Sequence, residues 1–590
     1  MEGAKSLKEQ KNNSCLMLGN EAIARGAYEG GVQVGSGYPG TPSSEILEYL
    51  SQFKEVHSRW CPNEKVALEV AAGVAIAGGR ALATMKHVGL NVAADPLMTI
   101  SYTGVRGGLV IVVADDPGMH SSQNEQDSRN YAKFAKIPFF EPADGEEARI
   151  FTKEGFIISE KFDTPIMIRS TTRVSHSRSV VFPQERIHFS PFPYQKDAEK
   201  YVMIPAFARK RRVALEKRLE VLRDWVDESD LNRIEMRDPH FGIITGGVLY
   251  NHVREVFPQA SILKIGIGYP LPFEMISDFV RKVKNVVVVE ELDPFWETEI
   301  KAAGIPVEGR NRIPGIGEIT PDILKVAFGV PQPVPSIDDL NQYVFPRPPV
   351  LCAGCPHRGV FRILSELKIT VTGDIGCYTL GVMPPTSSID SCICMGASIS
   401  NAEGFKLTHP ELTVGAVIGD STFIHSGIGP LLDAVYNQTN IIVFILDNRV
   451  TAMTGGQNHP GTGITLMGEK TSKLDIEELV KALGVKEVHH LSSFDISHFR
   501  SLLKEVVKKN SGPTVFILSE PCQLIRKKGN KNFYQVDPNL CRLCKKCLQL
   551  GCPAIRLDGE RAQIIAEYCR ACGVCSQICQ FNAIKEEYQS

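Results

Sequence analysis

Short apolar runs that end in glycine or aspartate recur along this chain, separated by longer stretches whose apolar positions fall at helical spacing. Gly108-Leu-Val-Ile-Val-Val-Ala114 runs into Asp115-Asp116-Pro117, and Pro165-Ile-Met-Ile-Arg169 repeats the pattern. This alternation predicts strand–helix–strand units on a parallel sheet over residues 15–180. Residues 181–238 change character. Arg209-Lys-Arg-Arg212 and Glu216-Lys-Arg-Leu-Glu220 predict a helical connector with a solvated charged face. A second α/β unit follows over 239–330, with strands near Gly242–Thr245 and Asn285–Glu290. A proline-rich stretch, 331–349, reads as a linker. A third α/β unit covers 350–522, and a cysteine-rich module covers 531–590. The fold class is therefore α/β and multidomain, with parallel-sheet domains followed by a small C-terminal module.

The third unit carries the clearest ligand edge. Thr413-Val-Gly-Ala-Val-Ile-Gly-Asp420 is a strand, Ser426 to Asn437 a helix, and Asn440-Ile-Ile-Val-Phe-Ile-Leu-Asp-Asn448 the next strand. A right-handed crossover makes the strands parallel, so Asp420 and Asn448 meet at one carboxyl edge, where open α/β sheets bind ligands. Both are hard oxygen donors suited to Mg2+. Two glycine-rich stretches lie upstream, Gly373-Asp-Ile-Gly376-Cys377-Tyr378 and Met395-Gly396-Ala-Ser398. The second opens a helix, whose free N–H groups are expected to face anionic oxygens.

Composition narrows the class. The 590 residues are 43% hydrophobic and 22% charged, with a net charge of -2. That is an ordinary globular balance without a nucleic-acid footprint. No apolar run has the length of a membrane span, and Met1–Asn13 is polar, unlike a secretory signal. A chain of this kind with sixteen cysteines is expected in a reducing cytoplasm.

Eight of those cysteines fall in two sets near the C-terminus: Cys541, Cys544, Cys547, Cys552 and Cys569, Cys572, Cys575, Cys579. Each opens as C-x2-C-x2-C, the run that wraps a [4Fe-4S] cluster. In two-cluster ferredoxins the fourth cysteine of each run crosses to the other cluster. Cys541, Cys544, Cys547 and Cys579 are then one ligand set; Cys569, Cys572, Cys575 and Cys552 are the second. Four residues separate Cys547 from Cys552, and Gln580 stands where proline is usual. Structural zinc prefers separated C-x2-C pairs, and disulfides do not suit the expected compartment.

Gly419-Asp420-Ser421 followed by Asn448 resembles the thiamine diphosphate motif, with Ser421 in place of the more common glycine. The resemblance makes Asp420, Asn448 and the carbonyl of Val450 the Mg2+ ligands. It makes Gly376, Cys377, Tyr378, Gly396, Gly419, Ser421 and Thr454 cofactor contacts. Gly37-Tyr-Pro-Gly-Thr41-Pro-Ser-Ser-Glu45, Cys352-Ala-Gly-Cys355-Pro-His357-Arg358-Gly359 and Thr454-Gly-Gly-Gln457 resemble the 2-oxoacid:ferredoxin oxidoreductases. Their order along one chain with the cysteine tail is similar to the large (α) subunits of the indolepyruvate-oxidising branch.

That resemblance implies two thiamine-type domains facing each other, one for the aminopyrimidine (15–180) and one for the diphosphate (350–522). It implies a transketolase C-terminal-like domain at 239–330. It implies oxidation of a 2-oxo acid to an acyl-coenzyme A and CO2, with electrons passed one at a time through iron–sulfur clusters to ferredoxin. A smaller β subunit is expected, in an α2β2 assembly, since no separate coenzyme A domain is evident. The catalytic carboxyl is expected at Glu69, opening the small-residue helix Glu69-Val-Ala-Ala-Gly-Val-Ala-Ile-Ala-Gly78, with Glu64 as the competing neighbour. Thr41 is expected on the substrate, with the pocket edge at His87, Gln123, Gln126 and Arg129. Cys352, Cys355, Cys377 and Cys522 match the ligands of a third, cofactor-proximal cluster. Cys15, Cys61, Cys392 and Cys394 are expected to be structural. Pyruvate or branched-chain oxidation, or an electron-transfer subunit without catalysis, are the competing readings. A plain thiamine decarboxylase has no use for the cysteine tail.

Overall fold

The structure is a computed structural model that describes residues 14–331, 343–345, 347–509, 511–526, 532–559 and 561–588. Met1–Asn13 and most of the expected linker 331–349 lie outside these residues. The chain divides into two compact units, Met1–Asp339 and Leu340–Ser590.

Unit 1 is built on a seven-stranded sheet. Its order is Ile267–Tyr269, Phe139–Phe140, Ile166–Thr171, Leu109–Asp115, Ala81–Lys86, Val34–Gly37 and His57–Trp60. All neighbours are parallel except the first pair. Leu109–Asp115 is buried at every position, as a strand covered on both faces must be. Helix Gly145–Phe162 starts where the Asp144 side chain accepts the Glu147 N–H. A second, four-stranded sheet has the order Asn285–Val289, Asp238–Gly246, Ala260–Ile265 and Arg233–Glu235. The segments expected as separate domains, 15–180 and 239–330, share one core. Phe139, Ile265, Phe295 and Trp296 belong to a single apolar cluster, and Ile267–Tyr269 adds a strand to the first sheet. Between them, Pro205–Asp227 forms a long helix.

Unit 2 is built on a six-stranded, all-parallel sheet. Its order is Ser391–Cys392, Thr370–Gly373, Val414–Gly419, Ile442–Asp447, Thr514–Ser519 and Glu487–Ser492. Gly419 pairs with Leu446, so Asp420 and Asn448 emerge side by side at the carboxyl edge. The cysteine module closes on itself: Asn532–Val536 pairs antiparallel with Ile584–Tyr588, and Ile555–Asp558 with Arg561–Ile564. It does not hang free. Leu550, Ala554, Ile564, Val574 and Ile578 are buried in the same apolar cluster as Val360, Phe361, Ile496 and Phe499. No helix among the described residues is long and apolar enough to cross a membrane.

Candidate functional site

In unit 2, Asp420 is buried just past its strand. Its Oδ1 accepts the Ser421 N–H at 2.9 Å and its Oδ2 the Arg449 N–H at 2.8 Å. Arg449 donates from a left-handed backbone, φ 63°. His459 Nδ1 accepts the Gly461 N–H, which leaves Nε2 protonated, 3.2 Å from Asp420 Oδ2. Burial raises the Asp420 pKa, but His459 and the backbone donors outweigh it and hold the carboxylate low. Its neighbour Asp447 is pushed up by burial and by the Asp420 charge. Among the described residues, no Lys or Arg side chain pairs with Asp420. A buried carboxylate kept ionised with no Lys or Arg partner fits a divalent cation. Asn448 is buried beside it, with Oδ1 on the Val450 N–H at 3.1 Å. Ser421 joins this loop through Thr451 (2.9 Å), and Thr454 bonds Gln457.

The glycine-rich loops do something other than expected. Tyr378 is buried, and its hydroxyl donates to Ile375 O at 2.7 Å and contacts Thr422 Oγ1 at 3.0 Å. A Cβ at Gly376 or Gly419 would sit 2.3 Å or 2.5 Å from its ring. These two glycines therefore make room for the Tyr378 ring at the base of the Asp420 loop. The expectation of free N–H groups at Gly396 needs correction. Asp374 accepts the N–H groups of Ile375, Gly396 and Ser398 at 2.8, 2.9 and 3.1 Å, and Ala397 donates to Cys394 O. A buried carboxylate has taken the donors that would have met an anion. Burial pushes the Asp374 carboxyl up against those donors.

All sixteen cysteines are free thiols. Cys552, Cys569, Cys572 and Cys575 line one cavity, and Cys541, Cys544, Cys547 and Cys579 line another. The chain thus gathers each crosswise set around its own space. Burial and the neighbouring thiols Cys572, Cys569 and Cys552 push Cys575 up strongly, and burial with Cys544 and Cys541 raises Cys547. Thiols so placed need a metal to hold them deprotonated. Among the described residues, no three His, Cys, Asp or Glu side chains converge on a single ion.

Cys352, Cys355, Cys377 and Cys522 come together near the Asn448 loop. Burial, with Cys352 and Cys377, drives Cys355 up to about 12; burial, with Cys522 and Cys352, drives Cys377 to about 11. The Cys522 N–H donates to Asn448 O at 3.0 Å. Cys355 also lines the cavity of Cys552, Cys569, Cys572 and Cys575, next to Arg358. His357, fully buried against Tyr378 and Asn448, is driven down to about 4 by burial.

In unit 1, the catalytic carboxyl expected at Glu69 is corrected. The helix begins at Glu64, capped by Asn63, which accepts the Val66 N–H. Glu69 is on its exposed side, paired with Lys65 at 2.7 Å. Glu64 is only 4% exposed, with its carboxyl over Gly89, where a Cβ would lie 2.6 Å from Oε1. Glu64 has the burial the role needs, and Glu69 does not.

Near Glu64 the strand ends bring in Lys86, which the sequence did not single out, close to the expected residues Thr41 and His87. Lys86 ends the strand Ala81–Lys86 and is buried, its stem along Gly40 and its Nζ donating to Ser121 O at 3.0 Å. Burial lowers its pKa to about 8 against the pull of Asp116 and Glu64. Half-buried Thr41 lies beside it, and its carbonyl accepts from Ser121 Oγ at 3.3 Å. His87 is buried with Nε2 on Asn124 O, its pKa lowered by burial. Gln123 is exposed, and Gln126 bonds Asn124. Arg129 is not at the pocket edge. Its fully buried guanidinium holds Asp127, Glu290 (2.8 Å) and the carbonyls of Glu291 and Asp293, which pins the two sheets together. It has no fork left for a substrate carboxylate.

Comparison with known proteins finds family matches over three stretches of the chain. Residues 25–218 match the thiamine diphosphate-binding family of pyruvate flavodoxin/ferredoxin oxidoreductases. Residues 374–518 match the thiamine pyrophosphate enzyme C-terminal TPP-binding domain, and 533–580 the 4Fe-4S dicluster domain. An indolepyruvate oxidoreductase subunit IorA from Archaeoglobus fulgidus is 40% identical over 619 positions, covering 98% of each chain. The same subunit from Methanothermobacter thermautotrophicus is 40% identical over 621 positions, covering 100% of each. A 2-oxoacid:ferredoxin oxidoreductase subunit beta from Sulfolobus sp is 27% identical over 207 positions, 31% of this chain and 65% of its own.

Thiamine-binding parallel-sheet domains joined to an iron–sulfur dicluster module define an enzyme of the 2-oxoacid:ferredoxin oxidoreductase type. Within that class, this chain belongs to the family of indolepyruvate oxidoreductase α subunits, IorA.

Proposed function

We propose that this chain oxidatively decarboxylates arylpyruvates, indolepyruvate among them, to aryl-acetyl-coenzyme A and CO2, and passes the electrons to ferredoxin. A smaller β subunit completes an α2β2 enzyme. A 2-oxo acid and coenzyme A enter; the thioester, CO2, a proton and an electron pair leave, the pair taken up as single electrons by iron–sulfur clusters. The arylpyruvate assignment rests on what its full-length relatives at 40% identity are described as oxidising.

Thiamine diphosphate, when bound, supplies the electron sink for the charge left as CO2 departs. Asp420, Asn448 and the Val450 carbonyl would hold its diphosphate through Mg2+. Glu64 would exchange a proton with the pyrimidine nitrogen N1′, a task that suits a carboxyl in a desolvated site. Lys86 has one of its three donors on Ser121 O, which leaves the others for the carboxylate of the 2-oxo acid beside Thr41.

The carrying observation is the continuity of unit 2. The loop that presents Asn448 is hydrogen-bonded to Cys522, and Cys355 lines the cavity of Cys552, Cys569, Cys572 and Cys575. Cofactor edge and cluster ligands are parts of one packed body. The test is the anaerobically purified complex assayed with indolepyruvate, phenylpyruvate and pyruvate, with and without coenzyme A. Arylpyruvate preference and a requirement for coenzyme A are expected. Preference for pyruvate, or full turnover without coenzyme A, would contradict the proposal.

A further inference from the structure

Arg358 lies between the two groups of cysteines in the interior of unit 2. It opens the helix His357–Glu366, three residues after Cys355, and is 7% exposed. Its Nε donates to Cys352 O at 2.9 Å. Its Nη1 donates to Leu550 O at 3.1 Å and to Gly551 O at 2.6 Å, in the turn that leads into Cys552. One guanidinium thereby ties the chain at Cys352 to the chain at Cys552. The Gly551 turn has φ 61°, and a Cβ there would crowd both Pro385 and Arg358.

The remaining nitrogen, Nη2, is buried and without a hydrogen-bond partner. Arg358 also lines the cavity of Cys552, Cys569, Cys572 and Cys575. Among the described residues no carboxylate pairs with it. An arginine stays charged even when buried, and an unpaired buried cation is costly. A cluster held by four thiolates is anionic and gains one more negative charge on reduction. Such a charge in this cavity would neutralise the guanidinium, and the cavity and its four thiols fit that group.

We propose that Arg358 sets the reduction potential of the cluster ligated by Cys552, Cys569, Cys572 and Cys575, by placing an unpaired positive charge against it on the side that faces Cys352 and Cys355. The charge favours the reduced state of this cluster, whose cavity Cys355 also lines. Net charge and hydrogen bonding around the sulfurs are the usual determinants of cluster potential. The inference rests on the cluster reading of Proposed function and adds a residue and a direction of effect to it.

The test is a dithionite redox titration of the anaerobic complex, followed by electron paramagnetic resonance, with wild type, Arg358→Gln and Arg358→Lys. It needs no 2-oxo acid, so it is independent of the substrate assignment. Absence of cluster signals from the wild type would overturn the reading beneath the proposal, not the role of Arg358 alone. Cys552→Ser identifies the signal of the cluster in question. In Arg358→Gln that signal is expected to shift to more negative potential while the others stay in place, and Arg358→Lys, which keeps the charge, is expected to titrate close to wild type. An unshifted signal in an iron-replete Arg358→Gln protein overturns the proposal. Equal loss of iron in both variants also overturns it, since Arg358 is then a tether and nothing more.

Discussion

Glu64 and Glu69 show that neighbouring positions on one helix meet very different surroundings. Both begin a turn of the same small-residue helix, and the residue pattern alone favoured Glu69. The Asn63 cap puts the helix start at Glu64 and leaves Glu69 outside with Lys65. The signal was present, since asparagine just before an acidic residue and an apolar run is an N-terminal mark. Glu64→Gln is expected to lower kcat by about 10²-fold or more, the usual scale for a proton-transferring side chain. Glu69→Gln should stay within about twofold of wild type, since a surface pair of this kind contributes little. Equal losses in both would return the role to open question. Lys86 was not legible, because a lysine that ends a strand is normally solvated and only the folded chain shows Gly40 and Ser121 closing over it. Its pKa near 8 lies below the ordinary lysine value, so the ammonium is held below about pH 8 and lost as the pH rises through that value. KM for the 2-oxo acid is expected to climb about tenfold per pH unit above that point, and Lys86→Met should show a high KM at every pH. A wild-type KM that is flat through this range would remove Lys86 from substrate binding.

At the scale of elements, the sheet edge was readable and the loop chemistry was not. Apolar runs and their spacing place Val414–Gly419 beside Ile442–Asp447, and the parallel register then sets Asp420 next to Asn448. What spacing does not reveal is that Asp374 spends its carboxylate on the start of helix Ala397–Thr408, or that Gly376 and Gly419 exist to seat Tyr378. Arg129 was misplaced for the same reason: its partners, Glu290 to Asp293, are far away in sequence. Asp374→Ala leaves three backbone donors unmet, at a cost of about 1–3 kcal/mol for a buried group. Hydrogen exchange should report this as about tenfold or greater loss of protection in Ala397–Thr408. Unchanged exchange there would mean that water takes over the donors without penalty.

At the scale of the molecule, the cysteine spacing was the most legible feature, because ligand geometry constrains it directly. The crosswise rule names two sets of four, and each set lines its own cavity. The packing of the module was not legible, since Leu550, Val574 and Ile578 carry no mark of the partners they meet. If Cys352, Cys355, Cys377 and Cys522 hold a third cluster, anaerobic preparations should contain about twelve irons per chain; about eight would leave that group as bare thiols. The most direct test of the central claim, that bond cleavage at the thiamine site is wired through this polypeptide to its clusters, is the visible absorption of the anaerobic complex with thiamine diphosphate and Mg2+ but no ferredoxin. Adding an arylpyruvate with coenzyme A should bleach the cluster absorption. A spectrum left unchanged by the 2-oxo acid, in protein that dithionite still bleaches, would contradict the account.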